Sequence, residues 1–277
     1  MVRNMSEKLT AIEIAESSSC YELQYQRQLF PIKINDFYPN DQGSADLTLI
    51  GSGDNRKDYA IKRIGDGNGM IPASELFCYE LARQVGIATP EFDIVLLRAG
   101  ELAFGSVWEG GVYKLSALNI MADLMTKGSL DGVAVKSLDK FFGKVYAFDL
   151  FINNIDRHFG NYMFRKSYNS YIALAFDYSR AWYAVDYKGL QVLGKNCNTQ
   201  QVINTVKQFK KFNRQQANDT LNELSRIERS TIENILSEMP KEWMTKEQTD
   251  DIIEWWGSIE FKDRLLALEK EVANVLV

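Results

Sequence analysis

YAIKRIGDGNGMIPASELFCYELARQVG, residues 59–86, sets a strand, a glycine-bearing turn and a helix in a row. YAIKRI (59–64) reads as a strand. Pro72 suits a first helical turn and Gly86 a helix C-terminal end, so the spacing predicts a helix over 72–86. Phe77, Leu81 and Val85 recur at i, i+4 and i+8, which makes one buried stripe. Upstream, LQYQRQLFPIKI (23–34) and ADLTLI (45–50) alternate or run apolar as strands do. GSGDNRKD (51–58) then reads as a hairpin turn rather than a phosphate loop. The first twenty or so residues read as a short helix or an arm. Downstream, FDIVLLR (92–98) and ELAFGSVW (101–108) are two more strands joined at Ala99-Gly100. The first 108 residues therefore predict a mostly antiparallel sheet with one helix inserted after its third strand.

From Glu109-Gly110-Gly111 the texture changes. SALNIMADLM (116–125) and SLDKFFGKVYAFDLFINN (137–154) are helical in period. Two short strands, NYMFRK and YIALAFD, come next with a turn at 168–170. Beyond about residue 199 nearly everything has helical period: one long or two shorter helices stopped by Pro240, then helices over 245–256 and 258–276. The expectation is an α+β fold with a sheet lobe over 1–109, a mainly helical lobe over 110–277, and a ligand cleft between them.

Composition bounds the function. The 277 residues suit one large domain or two lobes. Thirty-two basic residues against 37 acidic ones, with no long basic run, argue against direct nucleic-acid binding as the main task. Cys20, Cys78 and Cys197 are scattered, which argues against a disulfide framework or structural zinc and fits a reducing cytoplasm. The N-terminus lacks a signal peptide's apolar core, and no apolar stretch approaches a membrane span.

IDRHFGN (155–161) holds the only histidine, with an acid, an arginine and an asparagine beside it. In a D-x-x-x-x-N loop the acid can accept the proton of an attacking hydroxyl, and the asparagine five residues on can ligate a metal. Asp156 and Asn161 have that spacing, in the turn between an apolar helix and a strand. Asp177, at the end of ALAFD, returns beside that turn through a hairpin and can chelate Mg2+ with Asn161. Lys62, on a strand after Ala60 and Ile61, has the form of an ATP-anchoring lysine. Glu75 and Glu80 are its candidate acidic partners, and Glu75 is favoured because it lies beside the buried stripe. An acid so near Pro72 could instead complement the helix dipole. His158 is open between neutralising the transferring phosphate and holding the loop's shape, and Arg157 between bracing the loop and pairing with an anion. Main-chain groups near Val107, Trp108 and Glu109 are candidates for adenine. NDQGSAD (40–46) is the candidate phosphate-covering loop, Gly43 permitting close approach and Ser44 donating a hydrogen bond, with an ordinary polar turn as the alternative.

The Ala60-Ile61-Lys62 lysine, the SELFCYELA helix, FGSVW, DRHFGN and the following FDY resemble the HipA-like kinase family, from about residue 40 to 240. The resemblance implies a protein-kinase-like fold, ATP and Mg2+ as cofactors, Lys62 on the phosphates, Asp156 as base, and Asn161 and Asp177 on the metal. It implies a Ser/Thr protein substrate. Some members are toxins that phosphorylate translation proteins and are held by a DNA-binding antitoxin, so an inhibitory partner protein is an open candidate. Members can also phosphorylate their own phosphate loop, where Ser44 is the residue to suspect. The chain departs from the pattern in being shorter than full-length HipA toxins and in reading Asp177-Tyr178-Ser179 where kinases have D-F-G. D-R-H-x-x-N is equally the form of phosphoinositide-type kinases, in which the histidine is catalytic. A catalytically weak nucleotide-binding regulator and a lipid or small-molecule kinase are the alternatives.

Overall fold

The computed structural model describes residues 30–38, 49–67, 69–108, 117–182 and 193–275. Five strands form the first unit: β1 (Ile32–Tyr38), β2 (Leu49–Gly53), β3 (Asp58–Lys62), β4 (Phe92–Leu96) and β5 (Leu102–Val107). They pair in the order β1-β2-β3-β5-β4. A parallel pairing of Ile32 with Val95 and Lys33 with Leu96 closes the sheet into a barrel. The expected antiparallel sheet is present, but it curls until its edges meet, which removes the open strand edges.

Gly51 and Gly53 belong to β2, so the predicted hairpin turn is shorter than GSGDNRKD and occupies 54–57. A Cβ on Gly51 would lie 2.6 Å from Ile34, and one on Gly105 would lie 2.6 Å from Val95. A five-stranded barrel is narrow, and glycine at those places lets Ile34, Tyr59, Ile61 and Val95 fill it. β1 likewise differs from expectation: it runs on through Asp36, Phe37 and Tyr38 across an irregularity after Ile34. The predicted strand's residues 23–29 lie outside the described residues.

Helix α1 (Ile71–Gln84) is inserted between β3 and β4, as the Pro72 and Gly86 signals predict. Gly86 has φ +63°, the left-handed turn that ends a helix. The helix is buried on every side from Ile71 to Ala82, not along one stripe only. Phe77 stacks on Trp182 at 3.9 Å, while Tyr79 meets Phe92 and Phe104 edge-on at 5.0 Å. The helix is thus a wall shared by the barrel and the C-terminal part of the chain, which accounts for its burying even Ser74, Glu75 and Glu80.

The remainder is mainly helical. α2 (Ala117–Lys127) leads into a two-stranded sheet of β6 (Ser129–Leu130) and β7 (Val133–Ala134), then α3 (Leu138–Phe151). Next come the hairpin β8 (Tyr162–Ser167) and β9 (Ser170–Ala175), then α4 (Asn198–Gln208), α5 (Arg214–Ser225), α6 (Arg229–Ser237), α7 (Lys246–Trp255) and α8 (Ile259–Asn274). The stretch before Pro240 is two helices, because Arg226 to Glu228 breaks the run. α3 is the central element: Phe142, Val145, Phe148, Leu150 and Phe151 are all within 1% of full burial. Gly143 lets α5 approach it, since a Cβ there would collide with the Asn213 carbonyl. Two bonds tie the C-terminal helices to the barrel side: Trp243 Nε1–H donates to the Leu102 carbonyl at 3.1 Å, and Gln248 Nε2–H donates to Met70 Sδ at 3.7 Å.

Candidate active site

Lys62 ends β3 with its side chain 9% exposed. An ammonium so buried needs anions, and two reach it: Glu75 Oε1 at 2.5 Å from α1 and Asp177 Oδ1 at 2.6 Å from beyond β9. Burial works against the lysine's charge, but the two carboxylates outweigh it and hold the ammonium above the usual lysine range. Burial pushes the Glu75 carboxyl up to about 7 even against the pull of Lys62. Asp177 goes the other way: burial is overcome by Lys62 and Ser179, and its carboxyl lies well below the usual range. Glu75 is not in the first turn of α1, so the helix dipole does not explain it. It also accepts the Tyr178 N–H at 3.0 Å, and its Oε2 is buried with no hydrogen-bond partner.

The segment after β9 is moulded to α1. Ser74 Oγ–H lies 2.8 Å from the Tyr178 carbonyl and 3.0 Å from that of Ala181. Asp177 has φ +64°, which turns its carboxylate out of the strand line. Ser179 Oγ–H donates to Asp177 Oδ1 at 2.6 Å, so the Tyr-Ser departure from D-F-G supplies a side-chain tether. Tyr178 is fully buried against Tyr79 and Phe148, with the Arg157 guanidinium 4.8 Å over its ring.

The loop between α3 and β8 is braced from behind. Arg157 makes a two-pronged pair with Asp149 in the last turn of α3, at 2.9 and 3.0 Å. Its remaining Nη1–H reaches the Asn161 carbonyl at 3.2 Å and the Phe176 carbonyl. Arg157 is therefore the brace, and the anion it pairs with is Asp149. Phe176 N–H donates to the Asn161 carbonyl at 3.2 Å, and Tyr162 pairs with Ala175, which brings Asn161 and Asp177 to the same end of the hairpin. Asn161 donates its Nδ2–H to the Asp156 carbonyl at 3.1 Å and keeps Oδ1 as its acceptor end. Asp156 is part-exposed, with Asn198 Nδ2 at 2.5 Å from Oδ1 and Arg180 Nε at 3.5 Å from Oδ2.

Other expectations fare unevenly. His158 is exposed, and its Nδ1 accepts the Gly160 N–H at 3.0 Å, which holds the short turn 159–161 in shape. The N–H groups of Val107 and Trp108 are already given to Glu91 and Asp58, each at 2.7 Å, so those two amides do not serve adenine; the Trp108 ring is exposed. Glu109, Gly43 and Ser44 lie outside the described residues. Glu80 is buried on α1 and within 3.7 Å of Arg83.

Sequence reading misses the supports. Asp149 carried a signal, a carboxylate inside the apolar run YAFDLF, where a buried acid demands a partner. Arg264 of α8 carried a weaker one, a cation on the apolar stripe of Phe261, Leu265, Leu268 and Val272. It is fully buried, and its guanidinium caps α3 through the Leu150 and Phe151 carbonyls and Asn153 Oδ1, each at 2.9 Å. Asn198, 42 residues past Asp156, was silent.

As for metal, no group of three His, Cys, Asp or Glu able to hold an ion occurs among the described residues. Asp177 and Asn161 offer hard oxygens as a pair, which suits Mg2+, an ion commonly held by one or two carboxylates with phosphate and water completing its shell. No helix among the described residues is long and apolar enough to cross a membrane.

A search of curated proteins finds no match. Among solved structures the fold is similar to the Helicobacter pylori proinflammatory kinase CtkA, with a TM-score of 0.57 at 14% identity, covering 90% of this chain and 100% of that one. Shewanella oneidensis HipA, solved with HipB and operator DNA, gives 0.48 at 12% identity over 95% of this chain and 73% of that one. The golgi casein kinase gives 0.42 at 13% identity, over 88% and 70%. The family model for the HipA-like kinase matches residues 40–266. With a kinase-like α+β fold and that match over most of its length, the chain belongs to the HipA-like kinase family.

Proposed function

We propose that this kinase transfers the γ-phosphoryl group of ATP, with Mg2+, to a Ser or Thr hydroxyl of a cytoplasmic protein. The observation that carries the reading is the convergence on one place of Lys62, Glu75 and Asp177, from three elements as many as 115 residues apart. Lys62 serves the phosphates, and Glu75 keeps its ammonium in place. Asp177 and Asn161 hold the metal, which when bound neutralises charge on the phosphate oxygens. Asp156 orients the acceptor hydroxyl and takes its proton. His158, on the exposed side of the same loop, is a candidate to meet the transferring group. We assign Gly43 and Ser44 to the phosphate-covering loop, the exposed Trp108 ring and the main chain of Glu109 to adenine, and the lobe division to residues 109 and 110. The unpaired thiols of Cys78 and Cys197 fit the reducing cytoplasm.

Asp156→Asn tests this. It should bind ATP as wild type does and lose turnover by several orders of magnitude, read as labelled phosphate transfer to the chain itself or to a lysate protein. Wild-type turnover in that variant would overturn the role of Asp156. ATP binding without any turnover by wild type would favour a regulator instead.

A further inference from the structure

Asp156 is held by residues that the D-x-x-x-x-N pattern does not contain. Asn198 opens α4, and its Nδ2–H donates to Asp156 Oδ1 at 2.5 Å. The same residue's backbone N–H donates to the Ile155 carbonyl at 3.1 Å. The next residue, Thr199, is 2% exposed. Its hydroxyl donates to the Asn154 carbonyl and accepts the Arg157 N–H, the latter at 3.1 Å. Two consecutive residues of α4 thus grip four consecutive residues of the loop, 154 to 157, and the grip includes the Asp156 carboxylate itself.

We propose that Asn198 is a positioning residue for phosphoryl transfer: it fixes Oδ1 of Asp156 and so presents Oδ2 to the acceptor hydroxyl. The proposal rests on the assignment of Asp156 made above. A carboxylate left to itself rotates about its last torsion, which is broad and roughly two-fold. The Asp156 side chain is 23% exposed. A hydrogen bond from a residue whose own backbone is tied to the loop removes that freedom. The donor is an amide, so orientation is imposed without a second full charge at Oδ1. Among the described residues Oδ2 is met by Arg180, 54% exposed, and an exposed ion pair of that kind is weak enough for an acceptor to displace. In the transfer step the acceptor O–H bond breaks and its proton passes to Oδ2. The acceptor oxygen forms a bond to the γ-phosphorus, and the bond from that phosphorus to the bridging oxygen breaks, releasing ADP.

The test uses the full chain with ATP and Mg2+, water as the acceptor, and single-turnover ADP release as the probe. Asn198→Ala should lower the turnover rate about 10- to 100-fold, the cost of a misplaced reacting group, while the ATP dissociation constant changes less than about 2-fold. Asn198→Asp keeps the volume but sets carboxylate against carboxylate, so it should fold and lose more. In an Asp156→Asn background the Asn198→Ala change should add nothing, because its effect passes through the carboxylate. Equal losses in both backgrounds, or normal turnover in both Asn198 variants beside an inactive Asp156→Asn, would overturn the proposal and leave the kinase reading standing. Normal turnover in Asp156→Asn would overturn the role given to Asp156 and this proposal with it, while no ADP release by wild type, with water or with lysate protein as the acceptor, would overturn the kinase reading first.

Discussion

Around Lys62 one ammonium is shared by two carboxyl groups, those of Glu75 and Asp177. Around Asp156 the closest contact is a neutral amide, and the loop's own ion pair, Arg157 with Asp149, is hidden behind it. The two regions meet at one site yet answer to different forces. The charge cluster has closed on itself, so an incoming triphosphate has to redistribute Lys62 and Asp177. The loop is already braced by carbonyls, amides and a buried arginine, so its shape does not wait for the ligand. The contrast implies that charge and pH changes will act mainly on the first region, and shape changes mainly on the second.

The largest effect should come from breaking the hidden pair. Arg157→Met leaves Asp149 buried without its partner, which costs about 3–5 kcal/mol, whereas replacing both members with apolar residues should cost less. Urea unfolding midpoints of the single and double variants measure this. A single variant as stable as wild type would mean that the loop is not held from behind.

The next effect belongs to the charge cluster and depends on pH. Folded Glu75 keeps its proton up to about pH 7, while an unfolded glutamate releases it near 4.5. Between those values the folded chain binds more protons than the unfolded one, so this group's contribution is full below 4.5 and is lost as pH rises through 7. Relative to Glu75→Gln, wild type should lose up to about 3 kcal/mol across that window. Unfolding curves of both chains at several pH values check it, and a constant difference would contradict the raised carboxyl.

A smaller effect tests how far the loop's bracing reaches. Arg264→Met strips the α3 C-terminus of its cap and Asn153 of its bond, and should cost about 2 kcal/mol. It should also lower turnover without touching ATP affinity, because the loss falls on the Asp156 side. A fall in ATP affinity instead would mean that α8 supports the charge cluster, and the two regions would not be separable.

The same contrast explains which features were legible in the sequence. Lys62, Glu75 and Asp177 sit on or beside periodic elements whose order can be read, so their convergence was foreseeable from strand, helix and hairpin. Asn161 and Asp156 announced themselves by spacing. Asn198 and Arg264 act across 42 and 113 or so residues through contacts that exist only once the chain has packed; Asn198 breaks no local pattern, and Arg264 interrupts an apolar stripe without naming its partner. The barrel's closure was hidden for a like reason: the parallel match of Ile32 with Val95 is a long-range register, not a local propensity. The glycines of β2 misled because a turn signal and a tight barrel wall use the same residue.

Ser179 offers the finest cut between the two regions. Its hydroxyl donates to Asp177 Oδ1, the same oxygen that Lys62 takes, so a small neutral contact supports the charged cluster. Ser179→Ala leaves that oxygen with Lys62 and the residue's own backbone N–H, and the Asp177 side chain is 18% exposed, so water can replace part of the lost bonding. The expected stability cost is therefore only about 1 kcal/mol. The more telling consequence is at the proposed metal site. With one fewer donor, Asp177 should turn more easily about its last torsion, and the Mg2+ concentration giving half-maximal ATP binding should rise a few-fold, while the Asn198→Ala loss in turnover stays the same size in the Ser179→Ala background. Additivity of that kind is required of two independently held regions. Strong coupling between Ser179 and Asn198 in the turnover measurement would show that the two act as one unit.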